Sequence, residues 1–172
     1  EIKSLKDFKG LKMRIPGLGG EVIKAAGGTV VNLHGGELLT SIQSGAIDAL
    51  EWVGPYNDLA FGIHKASKFY YYPGWHEPGG VLDCFINFKS WNSLPKDLQK
   101  IVETSAKATT QAITNEMIAG NNQALEILIK KNNVKLKSFP DSVLKELSVL
   151  SDKVMKKLIS SDTLSKEVYN SI

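Results

Sequence analysis

The chain has 172 residues, is 42% hydrophobic and 23% charged, and carries a formal net charge of +3. That is enough apolar material for one core, and mixed signs at low net charge argue against a nucleic-acid-binding surface. A single cysteine excludes a disulfide framework and a thiolate metal site, and no apolar run approaches the roughly 18 residues that suggest a membrane span.

Taken in order, residues 11–15 alternate, with Leu11, Met13 and Ile15 on one face and Lys12 and Arg14 on the other. This reads as a short strand with Arg14 on the non-core side near its end. Residues 16–20 read as a tight turn, and 21–26 as one or two helical turns stopped by Gly27-Gly28. Residues 29–33 are β-branched and read as a strand. Gly35-Gly36 leads into a helix over 37–44, with Leu38, Leu39 and Ile42 inward, and 46–52 is the next strand. Strand, short helix and strand repeat over about 40 residues, which implies an α/β lobe with parallel pairing.

Gly54-Pro55 breaks that strand, and Pro55 can open the helix expected over 56–65. Residues 69–72 read as an aromatic strand, 73–78 as a turn and 82–88 as a further strand with Cys84 buried in it. From 94 to 131 apolar residues recur at helical spacing, through Leu98, Ile101, Val102, Ala108, Ile113, Ile118, Leu125 and Leu128. The rise per residue makes this a helix of roughly 55 Å, too long for one small lobe, so it should cross between lobes or meet a partner. Residues 134–139 are extended, and Pro140-Asp141 opens an amphipathic helix through Val143, Leu144, Leu147, Leu150, Val154 and Leu158. The polar tail from 160 is expected to fray. The chain divides into a lobe over 1–80, a strand and long helix over 81–133, and a C-terminal extension over 134–172.

Candidate chemistry is sparse. Gly17, Gly19 and Gly20 lie between a strand and a helix, but Val22 stands where a dinucleotide fingerprint needs glycine. His34, His64 and His76 show no close pairing, so no zinc site is expected from them. No serine elbow is present, and nothing resembles a catalytic set. What remains is Arg14, Glu51, Trp52, Trp75 and Glu77. Two carboxylates brought together repel unless a cation sits between them, and oxygen ligands favour a hard cation. An arginine opposite would grip a carboxylate-bearing ligand by two parallel hydrogen bonds, with Trp52 as a wall. Read from the residues alone, exposed turn acids and core tryptophans remain the alternative.

Certain stretches resemble a known family. Met13-Arg14-Ile15, Gly35-Gly36-Glu37, the run Ile47-Asp-Ala-Leu-Glu-Trp-Val-Gly-Pro-Tyr-Asn-Asp58 and the run Tyr70-Tyr-Tyr-Pro-Gly-Trp-His-Glu-Pro-Gly79 are similar to the DctP-type extracytoplasmic solute receptors of TRAP transporters. The branch resembled binds 2-oxo and 2-hydroxy carboxylates, such as pyruvate or lactate, with a metal ion. The resemblance implies a periplasmic binding protein type II lobe with a long crossing helix and a C-terminal helix. It implies a non-enzymatic periplasmic receptor that serves a membrane permease and is seen here as the second half of a longer protein. It further implies that Arg14 pairs with the substrate carboxylate and that the Trp52 indole, with Trp75, contacts the substrate. Glu51, the Trp52 main-chain oxygen and Glu77 would hold a sodium or calcium ion. A homodimer through the long and C-terminal helices is expected. The rival from another class is the effector-binding domain of a transcription regulator, and a third is a metal-dependent enzyme on an oxo acid, which lacks a spare general base.

Overall fold

The computed structural model describes residues 1–77, 79–80, 82–160 and 162–171. Its centre is a three-stranded parallel sheet in the order β2-β1-β3, built from β1 (Lys12–Arg14), β2 (Thr29–Val31) and β3 (Ala49–Leu50). Lys12 faces Thr29 and Arg14 faces Val31 on one side, and Met13 faces Ala49 on the other. The chain leaves β1 for a neighbour on one side and then crosses to the other side. That reversal leaves a crevice at the carboxyl ends of β1 and β3, the usual place for a ligand in an open parallel sheet.

Helix α1 (Gly17–Ala25) begins earlier than the sequence suggests, because the expected 16–20 turn is its first turn. Pro16 and Gly17, the latter at φ +63°, make the corner, and Gly20 lets the helix close on the sheet. A Cβ at Gly20 would lie 2.7 Å from the Ile15 carbonyl oxygen. Helix α2 (Leu38–Gln43) follows a 3-10 turn, and α3 (Pro55–Ala60) is cut from the next 3-10 turn by left-handed Gly62, so the single helix expected over 56–65 is two pieces. β4 (Phe69–Tyr71) pairs in parallel with β5 (Lys135–Lys137), which makes the extended 134–139 segment part of a second, two-stranded sheet.

The expected strand over 82–88 does not form. Residues 82–87 have no regular structure, Leu82 and Phe85 are 93% and 91% exposed, and Cys84 is exposed rather than buried. A strand needs a neighbour for its amides and carbonyls, and these residues have none among the described strands. Pro78 of the expected turn, Val81 before this segment and Ser161 of the tail lie outside the described residues. Helix α4 (Phe88–Ser93) occupies the end of the segment, started by Asn87, whose side chain accepts from the Lys89 and Ser90 amides. The tail is more ordered than expected, with α7 spanning Thr163–Ser171.

Helix α5 (Lys96–Lys130) is 35 residues, roughly 52 Å by its rise. Buried Gln99 ties its start to α4 by donating to the Trp91 and Leu94 carbonyls at 2.8 and 3.2 Å. Its later half lies on α3: a Cβ at Gly120 would meet the Tyr56 ring at 2.9 Å, and Asn121 Oδ1 accepts from the Tyr56 amide at 3.0 Å. Ala124 and Leu128 are buried, whereas Leu98, Ile101, Ile113 and Ile118 are exposed. Helix α6 (Asp141–Ser160) packs on α1, and the main core joins Phe8, Ile15, Val22 and Ile23 to Val143 and Leu147. Leu147 is 1% exposed, so truncation leaves a cavity. We expect Leu147→Ala to cost about 2–5 kcal/mol, read as a lower urea midpoint at unchanged slope.

Candidate functional site

The site is assembled at the carboxyl ends of the central strands. Arg14 is the last residue of β1, and Glu51 and Trp52 follow directly on β3. The ladder continues one step past β3, since the Glu51 amide donates to the Arg14 carbonyl at 3.0 Å. This sets the two charged side chains side by side. The Arg14 guanidinium pairs with the Glu51 carboxylate through Nη1 and also donates to the Glu51 main-chain oxygen at 2.8 Å. Its Nε donates to the Leu33 carbonyl, just past β2, at 3.3 Å. All three central strands therefore contribute to fixing one guanidinium.

Trp52 is the floor beneath it. The Arg14 Cζ lies 5.2 Å from the indole centroid, a cation–π distance, and Phe61 packs on the same indole with centroids 5.2 Å apart. Gly35 must be small here, since a Cβ would lie 2.9 Å from the indole. The turn after β4, where the Tyr72–Pro73 peptide is cis, delivers the remaining groups. His76 Nε2 lies 3.4 Å from the second Glu51 oxygen, and its ring rests on α1, where a Cβ at Gly19 would come within 3.1 Å of it. Glu51, His76 and Glu77 each bring a ligand atom within 4.8 Å of the others.

Four of the five residues singled out in the sequence thus meet: Arg14, Glu51, Trp52 and Glu77. Trp75 is placed differently. It packs against the main hydrophobic core, with its ring 5.1 Å from that of His76. His76 is the residue the sequence reading passes over. Histidine pairing is the wrong signal for it; its place between Trp75 and Glu77 in the quoted run is the right one. Two buried polar atoms without a partner in the protein belong to this group of residues, Trp52 Nε1 and His76 Nδ1.

A second missed pair holds the strand end in place. Asp58 is buried and accepts hydrogen bonds from the Val53 amide, at 3.4 Å, and from the Tyr70 hydroxyl. It closes the 53–58 turn directly behind Trp52 and anchors it to β4. Burial pushes the Asp58 carboxyl above its usual range, against the pull of the Tyr70 and Val53 hydrogen bonds. Burial, and then the Asp58 charge, push the Tyr70 hydroxyl up as well.

The donor set suits a cation. Glu51 and Glu77 supply carboxylate oxygens, which hard cations prefer, and His76 adds one nitrogen. Beside it stands the one arginine of the chain, which suits a carboxylate. Residues 1–162 match the family of bacterial extracellular solute-binding proteins, family 7, the DctP proteins. The chain belongs to that family. Among its relatives is a monocarboxylate 2-oxoacid-binding periplasmic protein of Nostoc, 44% identical over 98% of this chain and 46% of that protein. A TRAP periplasmic solute binding protein of Colwellia psychrerythraea, solved with bound calcium and pyruvate, is 42% identical over 99% of this chain and 52% of its own, with a TM-score of 0.92. One from Pseudoalteromonas atlantica, solved with bound sodium and pyruvate, is 38% identical over 100% of this chain and 52% of its own, with a TM-score of 0.91. The chain spans about half the length of these DctP-type relatives. The α/β architecture, with parallel sheets and a long helix, is therefore that of a DctP-type receptor.

The raised Asp58 gives a pH signature. Folded Asp58 keeps its proton at pH values where the unfolded chain, near pKa 3.9, has lost it. The folded state then holds more protons, so this group's contribution to stability falls as pH rises from the ordinary carboxylate range through the raised value. We expect Asp58→Asn to flatten the urea-midpoint-against-pH curve in that window; an unchanged slope would contradict it.

Proposed function

We propose that this chain is the second lobe, the connecting helices and the C-terminal extension of an extracytoplasmic TRAP receptor. Such a receptor captures a small 2-oxo or 2-hydroxy monocarboxylate with a metal ion and hands it to a membrane permease. The observation that carries this reading is the pairing of the lone arginine with a carboxylate-rich cluster at the β1–β3 crevice, in a member of this family. Pyruvate with calcium or sodium in the two solved relatives supports the ligand class. Family membership favours a receptor over a regulator's effector domain, and we read the chain as a binder rather than an enzyme.

Arg14 holds the ligand carboxylate, and the Trp52 indole walls the acyl end. Glu51, Glu77 and the Trp52 main-chain oxygen hold a sodium or calcium ion, and His76 sets the direction of the second Glu51 oxygen. The cation supplies a positive charge for the ligand's oxygens. Trp75 contributes to the substrate side, and its packing on the core fixes the turn that carries His76 and Glu77. The first lobe, in the two-lobed protein, closes over this face. Arg14→Lys keeps the charge but loses the two-pronged geometry. It should weaken pyruvate binding by about 1.5–3 kcal/mol in calorimetry with calcium present; an unchanged affinity would return Arg14 to a structural role.

We also propose a homodimer through α5 and α6. The support is the number of exposed apolar residues on α5 (Leu98, Ile101, Ile113 and Ile118), with Val149 on α6, more than a small lobe ordinarily leaves in water. Light scattering of the full-length protein across concentrations should show a two-fold assembly, and a monomer throughout would contradict it.

A further inference from the structure

Arg14 and Glu51 are the two charges on which capture depends, and in this structure they are occupied by each other. One Glu51 oxygen takes the guanidinium, and the other lies 3.4 Å from His76 Nε2. The two side chains are only 12% and 17% exposed. At that burial, a charge stripped of its partner is costly.

Consider each ligand arriving alone. A cation that takes Glu51 leaves the guanidinium without its carboxylate. An organic acid that takes Arg14 leaves Glu51 without its guanidinium partner, with only His76 beside it and a second carboxylate, Glu77, close by. Arriving together, they replace one ion pair by two, with the acid on Arg14 and the cation on Glu51. The Glu51 main-chain oxygen and the Leu33 carbonyl continue to hold the guanidinium, so Arg14 can change carboxylates without leaving its place.

We propose that the Arg14–Glu51 pair is a resident placeholder which the ligand carboxylate and the cation displace together, making the binding of each depend on the other. This rests on the receptor reading above and adds the linkage between its two ligands. Linkage is reciprocal, so the factor by which calcium tightens pyruvate equals the factor by which pyruvate tightens calcium. A cation that touched the acid directly would also couple them. The placeholder differs in one respect: breaking the resident pair frees Arg14 for the acid even with no cation present.

The test is calorimetry on the full-length protein with pyruvate, in calcium and in chelator, for the parent, Glu51→Gln and Glu51→Asp. In the parent, calcium should tighten pyruvate by about tenfold or more, within the usual range of linkage between sites. In chelator, Glu51→Gln should bind pyruvate about fivefold or more tighter than the parent, and calcium should no longer improve it. Glu51→Asp keeps the charge but draws the oxygen back from Arg14, so it should move the same way; repulsion at a distance alone would leave it at the parent value. Thermal unfolding checks that both variants fold, and reciprocity in the parent needs no variant. A parent affinity that calcium does not change would overturn the proposal and leave the receptor standing. So would variants no tighter than the parent in chelator, or a gain confined to Glu51→Gln. A parent that captures no 2-oxo acid even in calcium would end the receptor reading, and the proposal with it.

Discussion

The ion pair between Arg14 and Glu51 sits across the seam where the parallel sheet changes direction, and the rest of the lobe serves that seam. Strands this short cannot hold two charges in register by themselves. β1 has three residues and β3 two. What fixes them is the packing on either side. Ile15, one residue past Arg14, is fully buried in the core that α1 and α6 close, and Ile47, two residues before β3, is buried as well. Each buried aliphatic side chain is worth about 1.5–3 kcal/mol of transfer free energy. The core thus supplies what a two-residue strand lacks, and the charges inherit its rigidity.

The same logic extends outward in layers. Trp52 touches both the guanidinium and Phe61, and Gly35 leaves room for it. Asp58 and Tyr70 join the turn behind Trp52 to β4. Helix α5 then holds α3 through Asn121 and the close approach at Gly120. On the opposite side Trp75, packed on the core, anchors the turn that brings His76 and Glu77 to Glu51. The site therefore rests on two separate supports, α5 through α3 and the main core through Trp75. The open side of the arrangement is equally informative. Leu82, Phe85 and Phe88 are exposed along one segment, and the early half of α5 shows apolar residues to water. Relatives of this family have about twice this length, and we place the contacts of the other half on the 82–88 segment, leaving the α5 face to the proposed dimer.

Much of this was legible in the sequence, for physical reasons that differ by element. The alternation of Leu11 to Ile15 and the branched run at Thr29 identify parallel strands because sheet burial imposes those patterns. The long helix is legible because no proline interrupts it. The 82–88 segment misleads because alternation describes a face, not a neighbour. Its apolar residues meet the pattern of a strand, but no strand among the described residues lies beside them. The extent of α1 was missed because Gly17, Gly19 and Gly20 read as turn residues, although two of them are glycine to admit Ile15, Val30 and His76. At the site, the residue types of Arg14, Glu51 and Glu77 point to a carboxylate and a cation, and the structure brings the three together. Trp75 reads as a ligand wall because it is an aromatic next to polar residues, and in the structure it also packs against the core. His76 and Asp58 left no signal in isolation. Their roles come from what the fold sets beside them.

The most direct measurement is a crystal structure of the full-length protein with calcium and pyruvate bound. The account predicts that Arg14 has left the Glu51 carboxylate for that of pyruvate, that Glu51 lies on the calcium, and that the Leu33 and Glu51 main-chain oxygens still hold the guanidinium. Pyruvate bound with the Arg14–Glu51 pair intact would contradict it.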